Sequence, residues 1–193
     1  MPALIDPYTR TQLVADAINE ILVLEGASGV TMRALARRTG VSAPSLLHHF
    51  ESRERILRVS AGITARASIA GITSRRMTAR LDDQLDAHLP RDAAELKEVS
   101  AWLAWAEFAR HAEFLQPAIG GWHLDERALL GGSVVEAGVP RSALTQAATD
   151  TVFSHLCGLR LAMCRPMRPL SVTAARASLR EMVLRHRCRR SVA

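Results

Sequence analysis

The chain has 193 residues, 48% of them apolar and only 4% aromatic, and carries a net charge of +6. That length suits one large domain, or a small domain joined to a larger one, with ample material for a core. No apolar run approaches the roughly eighteen residues of a membrane span, and Met1–Arg10 lacks a signal-peptide core, so a cytoplasmic protein off the membrane is expected.

The charge is uneven. Residues 1–80 hold 11 basic and 6 acidic side chains, residues 81–164 hold 6 and 12, and residues 165–193 hold 8 and 1. A basic first segment ahead of an acidic middle suits a module that meets a polyanion. Arg-rich composition is the plainer explanation, since 24 of the 25 basic residues are Arg. Cys157, Cys164 and Cys188 are odd in number, lack metal-site spacing and read as free thiols.

Helical periodicity runs almost throughout, and no alternating Val/Ile/Thr run argues for a sheet, so an all-α fold is expected. The first helix covers Pro7 to Leu24, with Leu13, Ala17, Ile18, Ile21 and Leu22 on one stripe, and GASG stops it. Thr31 caps a second helix, MRALARR, which ends at Gly40. Ser42 caps a third that lasts only to His49, and a fourth runs from Glu51 to Thr73. A short segment near Leu81–Leu89 follows, then helices from Asp92 to Phe114 and from Pro117 to Ala137, the latter with Gly pairs at 120–121 and 131–132. The last two helices run from Arg141 to Cys164 and from Ser171 to Cys188, separated by RPMRP. The composition shift places the seam in the fourth helix, giving a head of residues 1–55 and a body of residues 56–193.

Helix, short turn containing Gly, short helix is the helix-turn-helix arrangement. Leu35, Ala36, Val41, Leu46 and Phe50 make its small core. Pro44 falls in the first turn of the third helix, where a missing N–H costs nothing. Ala43, Pro44, Ser45, Leu47 and His48 then face outward, small or flat groups suited to base edges and thymine methyls. His49 and Arg53 lie beyond them, placed for phosphates. An ordinary helical hairpin with a solvated basic face fits the same spacing.

The segment GVTMRALARRTGVSAPSLLHHFESRERIL, Gly29 to Leu57, resembles the N-terminal DNA-binding domain of the TetR family of bacterial transcriptional regulators. The resemblance lies in the Gly-Val-Thr opening, the Leu-Ala pair, the Gly-Val turn and a short helix ending in His-Phe before a basic residue. It implies an N-terminal three-helix DNA-binding domain and a larger C-terminal helical domain for ligand binding and dimerisation. By the same resemblance Thr31 and His49 contact the phosphate backbone, Arg33 reaches a base or phosphate, and Ser42, Ala43, Pro44, Ser45 and His48 line the groove. Arg53 anchors a phosphate. Leu47 stands where the family usually has a tyrosine whose hydroxyl meets a phosphate, a bond that leucine cannot donate.

In the body, Val172, Ala175, Leu179, Met182 and His186 recur at spacings of 3, 4, 3 and 4, a seam fit for a partner helix, and Leu144, Ala148, Val152, His155, Leu159 and Met163 do much the same at 4, 4, 3, 4 and 4. Two such helices from each of two subunits would form a four-helix bundle, so a homodimer through residues 141–164 and 171–188 is expected, with an antiparallel pair inside one chain as the alternative. Trp102, Trp105, Phe108, Trp122 and Phe153, with His111, His123 and His155, are the candidate lining of a pocket for a small apolar or aromatic effector. Aromatics at such spacing are also ordinary core. WLAWAEFARHAEF is similar to a BetI-like subset of TetR C-terminal domains.

The remaining histidines are scattered, so no metal set, cofactor or catalytic pairing is indicated, and DDQLD at 82–86 reads as a solvated face. The expectation is a dimeric, effector-responsive repressor that binds a palindromic operator in double-stranded DNA and is not an enzyme. A small-molecule sensing protein with a degenerate head is the alternative.

Overall fold

The computed structural model describes residues 7–188, and among them the secondary structure is helical only. In chain order it comprises α1 (Pro7–Gly29), α2 (Met32–Thr39), α3 (Ala43–Phe50), α4 (Arg53–Thr78), a 3-10 segment (Leu81–His88) and α5 (Ala93–Ala109). A 3-10 turn (Glu113–Leu115), α6 (Gln116–Glu136), a second turn (Arg141–Ala143), α7 (Gln146–Met163) and α8 (Val172–Cys188) complete it. None of the described helices is long and apolar enough to cross a membrane.

Several boundaries differ from expectation for identifiable reasons. The GASG stop is a kink rather than an end: Gly26 takes φ 70°, ψ −173°, and helical structure resumes to Gly29. Neither glycine pair breaks α6. A Cβ at Gly132 would lie 3.0 Å from Arg76 Nη2, so the missing side chain leaves room for the guanidinium that reaches Glu136 at 2.9 Å. The helix foreseen from Arg141 begins only at Gln146, where the Thr145 hydroxyl accepts the Ala148 amide at 3.2 Å.

Two compact units divide the chain, and each is continuous in space rather than in sequence. The first joins the residues up to Ser68 with Ser100–Trp122. Its core is built from Val14, Ile18, Ile21 and Leu22 of α1, Leu35 of α2, Leu46 and Phe50 of α3, and Ile56 and Leu57 of α4. Burying each such side chain is worth about 1.5–3 kcal/mol. The α1 stripe is centred on Val14 and Ile18, while Leu13 is only half-buried. Likewise Ala34, not Ala36, is the buried alanine of α2, and Val41 is half-buried. Asn19 ties this unit together: its side-chain oxygen accepts from Trp105 Nε1 at 2.7 Å and from Thr64 Oγ1 at 3.1 Å.

The second unit comprises Ile69–Val99 and the residues from His123 onward. Leu85, Leu89, Leu130, Val134, Val152, Leu156, Ala175 and Leu179 belong to its core. The stripes foreseen as a seam for a second subunit are therefore spent largely inside the chain, where α7 and α8 pack on each other. Ala175, Leu179 and Val152 have no exposed surface and Met163 is buried. The side chain of His186 and the tail beyond residue 188 lie outside the described residues. The DDQLD carboxylates are not simply solvated either: Arg180 Nη2 reaches Asp83 at 2.9 Å and Asp86 at 2.8 Å, and Arg176 lies 3.4 Å from Asp86.

Candidate nucleic-acid interface

The first unit fixes the geometry of the helix-turn-helix by bonds made within a few residues. Thr31 is extended (φ −111°, ψ 155°), and its hydroxyl accepts the Ala34 amide at 3.1 Å, opening α2. Gly40 closes that helix at φ 68°, a left-handed conformation that costs glycine little, and its amide bonds Ala36 O. The Thr39 hydroxyl braces the turn by donating to Leu35 O at 2.8 Å and accepting from the Val41 amide at 3.2 Å. Ser42 then caps α3 by accepting the Ser45 amide at 3.3 Å, with Pro44 in the first turn. Glu51, at φ 70°, ends α3, its amide donating to Leu47 O at 2.7 Å.

Opposite the buried Leu46 and Phe50, α3 turns Pro44, Leu47 and His48 outward, with Ala43 and Ser45 half-buried at the flanks. His49 is half-buried and meets the Phe50 ring edge-on at 4.6 Å. Thr31 and Arg33 are exposed at the start of α2. Arg53, also exposed, commits one guanidinium nitrogen to Val30 O at 3.0 Å, so it braces the turn between α1 and α2 besides being available to a phosphate. No spacing rule marks Arg38 as structural: it pairs with Glu20 at 2.7 Å and Glu25 at 3.4 Å, partners 18 and 13 positions away. Arg37, one helical turn after Arg33 and equally exposed, extends the basic face of α2 and was not singled out by its spacing.

The eight candidate ligand residues divide between the units. In the first, Trp102 and Trp122 meet edge-to-face at 6.4 Å, and Trp105 stacks on Phe108 at 6.2 Å. Trp105 Nε1 is spent on Asn19, whereas the buried Trp122 Nε1 has no hydrogen-bond partner. The His111 side chain is 74% exposed beside Glu107 and walls no interior space. In the second unit His123 meets Phe153 at 6.2 Å and His155 bonds Ser178 Oγ at 3.0 Å. Two grooves open in that unit: one of about 560 Å³ flanked by Arg75, Asp86, Arg176 and Arg180, the other of about 450 Å³ flanked by Leu124, Gly131, Leu144 and Thr149. Neither is lined by any of the eight.

The interior of the second unit holds a polar set that sequence reasoning missed. Arg160 ion-pairs with Glu126, both buried, and donates through Nε and Nη2 to His88 O at 3.1 and 2.7 Å. His88 Nε2 lies 3.0 Å from Ser133 Oγ. Burial, and then the nearby Arg160, Arg76 and Arg75, push the His88 pKa well below its usual value. The His123 pKa is also lowered by burial, against the opposing charge of Glu126. Burial raises the Cys157 thiol to about 11, which leaves it unreactive near neutral pH. Among the described residues no group of three His, Cys, Asp or Glu side chains is placed to hold a metal ion.

A three-helix unit whose turn is capped on both sides, and whose short third helix presents small side chains outward, is a helix-turn-helix DNA-binding head. Residues 14–59 match the model of the bacterial regulatory proteins, tetR family, and through this head the chain is similar to that family. It is similar to the HTH-type transcriptional regulator PksA of Bacillus subtilis (strain 168), 24% identical over 116 residues, which are 58% of this chain and 57% of that protein. The chain thus spans little more than half the length of this curated relative. Its fold is similar to that of a transcriptional regulator from Rhodococcus sp. Rha1, with TM-score 0.77 and 18% identity over 91% of this chain and 94% of that one. A structure from Saccharomonospora viridis in complex with choline superposes with TM-score 0.76 and 16% identity, covering 93% of this chain and 97% of that one. At these identities the likeness is one of fold.

Proposed function

We propose that the protein is an effector-responsive transcriptional repressor that binds a palindromic operator as a homodimer and is released by a small apolar or aromatic effector. The observation that carries this reading is the outward face of α3, held by the Ser42 cap and Pro44 on a head similar to that of the tetR family. Exposed Thr31, Arg33, His48 and Arg53 supply donors for phosphates or base edges, and phosphate contacts position the head while base contacts select the sequence.

For the second subunit the proposal uses the faces of α7 and α8 turned away from the core. Thr151, Ser154, Gly158 and Leu161 recur there at spacings of 3, 4 and 3 and are exposed, with nothing within 4 Å of a Cβ built at Gly158. Small residues of this kind let a partner helix approach closely. Two recognition helices must lie about 34–36 Å apart to enter successive major grooves. An effector that prefers another arrangement lowers operator affinity by its differential affinity for the two states. Within the first unit, Asn19 bonds α1 to Thr64 of α4 and Trp105 of α5, and half-buried Val59 and Ile63 lie on the same stretch of α4. The partnerless indole N–H of buried Trp122 supports an effector carrying one hydrogen-bond acceptor on an apolar body. A structural relative held with choline supports small-molecule binding on this fold.

The test is selection of bound duplexes from a random DNA pool by the purified protein at moderate salt. Recovery of a palindrome is expected, with Arg33→Ala weakening its binding by about 1–3 kcal/mol. Sequence-independent, salt-sensitive binding alone would favour the sensing protein with a degenerate head, a reading for which Leu47 is the one motivating residue.

A further inference from the structure

On α3, APSLLHHF, there is no Arg, Lys, Asn, Gln, Asp or Glu, so the helix lacks every side chain that reads a base by paired hydrogen bonds. At about 100° per residue, Pro44 sits at the centre of the outward face. Leu47 and Ala43 fall to one side of it, His48 and Ser45 to the other. The face is thus split into an apolar half and a polar half. Leu47 is 39% exposed, while the other leucine of the helix, Leu46, is fully buried. Its direction is fixed as well, because the capped start and the bond from the Glu51 amide to Leu47 O hold the helix at both ends.

We propose that Leu47, with Ala43 beside it, is a specificity-determining residue that reads the C5-methyl group of a thymine and so requires thymine at one symmetric position in each operator half-site. In the major groove the methyl is the only apolar group a base edge presents, and cytosine carries hydrogen at the same carbon. A leucine side chain packed on that methyl removes apolar surface of both from water. Against cytosine the contact shrinks, and the exocyclic amine of cytosine is left facing leucine without an acceptor. Pro44 at the centre of the face keeps the backbone close to the groove floor without offering a donor. Discrimination from the other half of the face falls to Ser45 and His48, which make single hydrogen bonds.

This inference rests on the operator-binding reading above, and the experiment separates the two. With the selected palindrome in hand, each thymidine is replaced in turn, symmetrically in both half-sites, by deoxyuridine, which removes only the methyl. Affinities are measured for the wild type, Leu47→Ala and Leu47→Met. Losing one methyl contact is expected to weaken wild-type binding about fourfold, and the symmetric pair about fifteenfold, from the usual value of a buried methyl or methylene. In Leu47→Ala the same replacement is expected to cost less than twofold, and in Leu47→Met, which keeps an apolar tip, most of the dependence returns. Because Leu47 is exposed, all three proteins should share one urea midpoint. Wild-type affinity indifferent to every methyl, or methyl losses equal in wild type and Leu47→Ala, overturns the inference and leaves the operator reading standing. A pool that yields no palindrome overturns both.

Discussion

In the helix-turn-helix, Thr31 caps α2 through Ala34 and Ser42 caps α3 through Ser45, each across three positions of the chain. In the second unit Arg160 reaches back 72 positions to the His88 carbonyl, and His88 and Ser133 are 45 apart. The first set is solvated or half-solvated and forms as soon as its own turn forms. The second brings charges into an apolar interior and is satisfied only when the whole unit closes. Local caps make small, separable contributions to stability, whereas a buried network is worth little when complete and costs much when one member is removed.

The sharpest break in that contrast is Arg160→Met. Glu126 is left in the interior without its counterion and the His88 carbonyl loses both donors, so a loss of about 3–5 kcal/mol in urea unfolding is expected. Replacing the pair together, Arg160→Met with Glu126→Leu, should recover most of that loss. A single variant as stable as the wild type would mean that water reaches Glu126 and the interior is not dry.

The first unit has a long-range bond of its own. Asn19 and Trp105 are 86 positions apart, and Trp105 has no exposed surface. Asn19→Ala strands the indole N–H and the Thr64 hydroxyl loses one of its two acceptors, an expected cost of about 1–3 kcal/mol. Tryptophan fluorescence during urea titration reads the change. A cost below that of removing a local cap would show that separation in sequence is not what divides the two kinds of bond.

His88 extends the contrast to pH. Its folded pKa lies well below the ordinary value near 6.5, so below that pH the unfolded chain binds a proton that the folded chain refuses. The stability His88 contributes is therefore complete above about pH 6.5 and is lost as pH falls toward the folded pKa, at up to about 1.4 kcal/mol per pH unit. His123 acts in the same direction. His88→Gln should flatten the stability profile between pH 6.5 and 5; an unchanged slope would move the titrating group elsewhere.

Legibility in the sequence followed the same division. The caps Thr31 and Ser42, the left-handed Gly40 and the proline of α3 announce themselves within a few residues, and the outward face of α3 follows from helical geometry. The buried side of α1 slipped from Leu13 to Val14 because neighbouring apolar residues satisfy the same period. The stripes of α7 and α8 identify an apolar face without saying what covers it, and here the chain covers them itself. His88, Glu126 and Arg160 lie in three different elements, and no spacing rule links them before the unit has formed. The roles of Arg38 and Asn19 are hidden for the same reason.

The smallest expected effect lies where even local sequence is silent. Glu51 ends the recognition helix at φ 70°, ψ −38°, although nothing in HHFES marks a glycine position. A side chain there carries strain of about 1–3 kcal/mol. Glycine relieves that strain but adds freedom to the unfolded chain worth about 0.4–1 kcal/mol, and it removes an exposed ion pair with Arg55 worth at most about 0.5 kcal/mol. Glu51→Gly is therefore expected to raise the urea midpoint slightly, by about 0.5 kcal/mol in stability. Glu51→Ala, which keeps the strain and loses the pair, should be neutral or slightly less stable than the wild type. The difference between the two variants measures the strain less the extra unfolded-chain freedom of glycine, since both have lost the carboxylate. If they unfold alike, the positive φ costs no more than the freedom glycine adds to the unfolded chain, about 0.4–1 kcal/mol, and the bond to Leu47 O holds the end of α3 against little opposition.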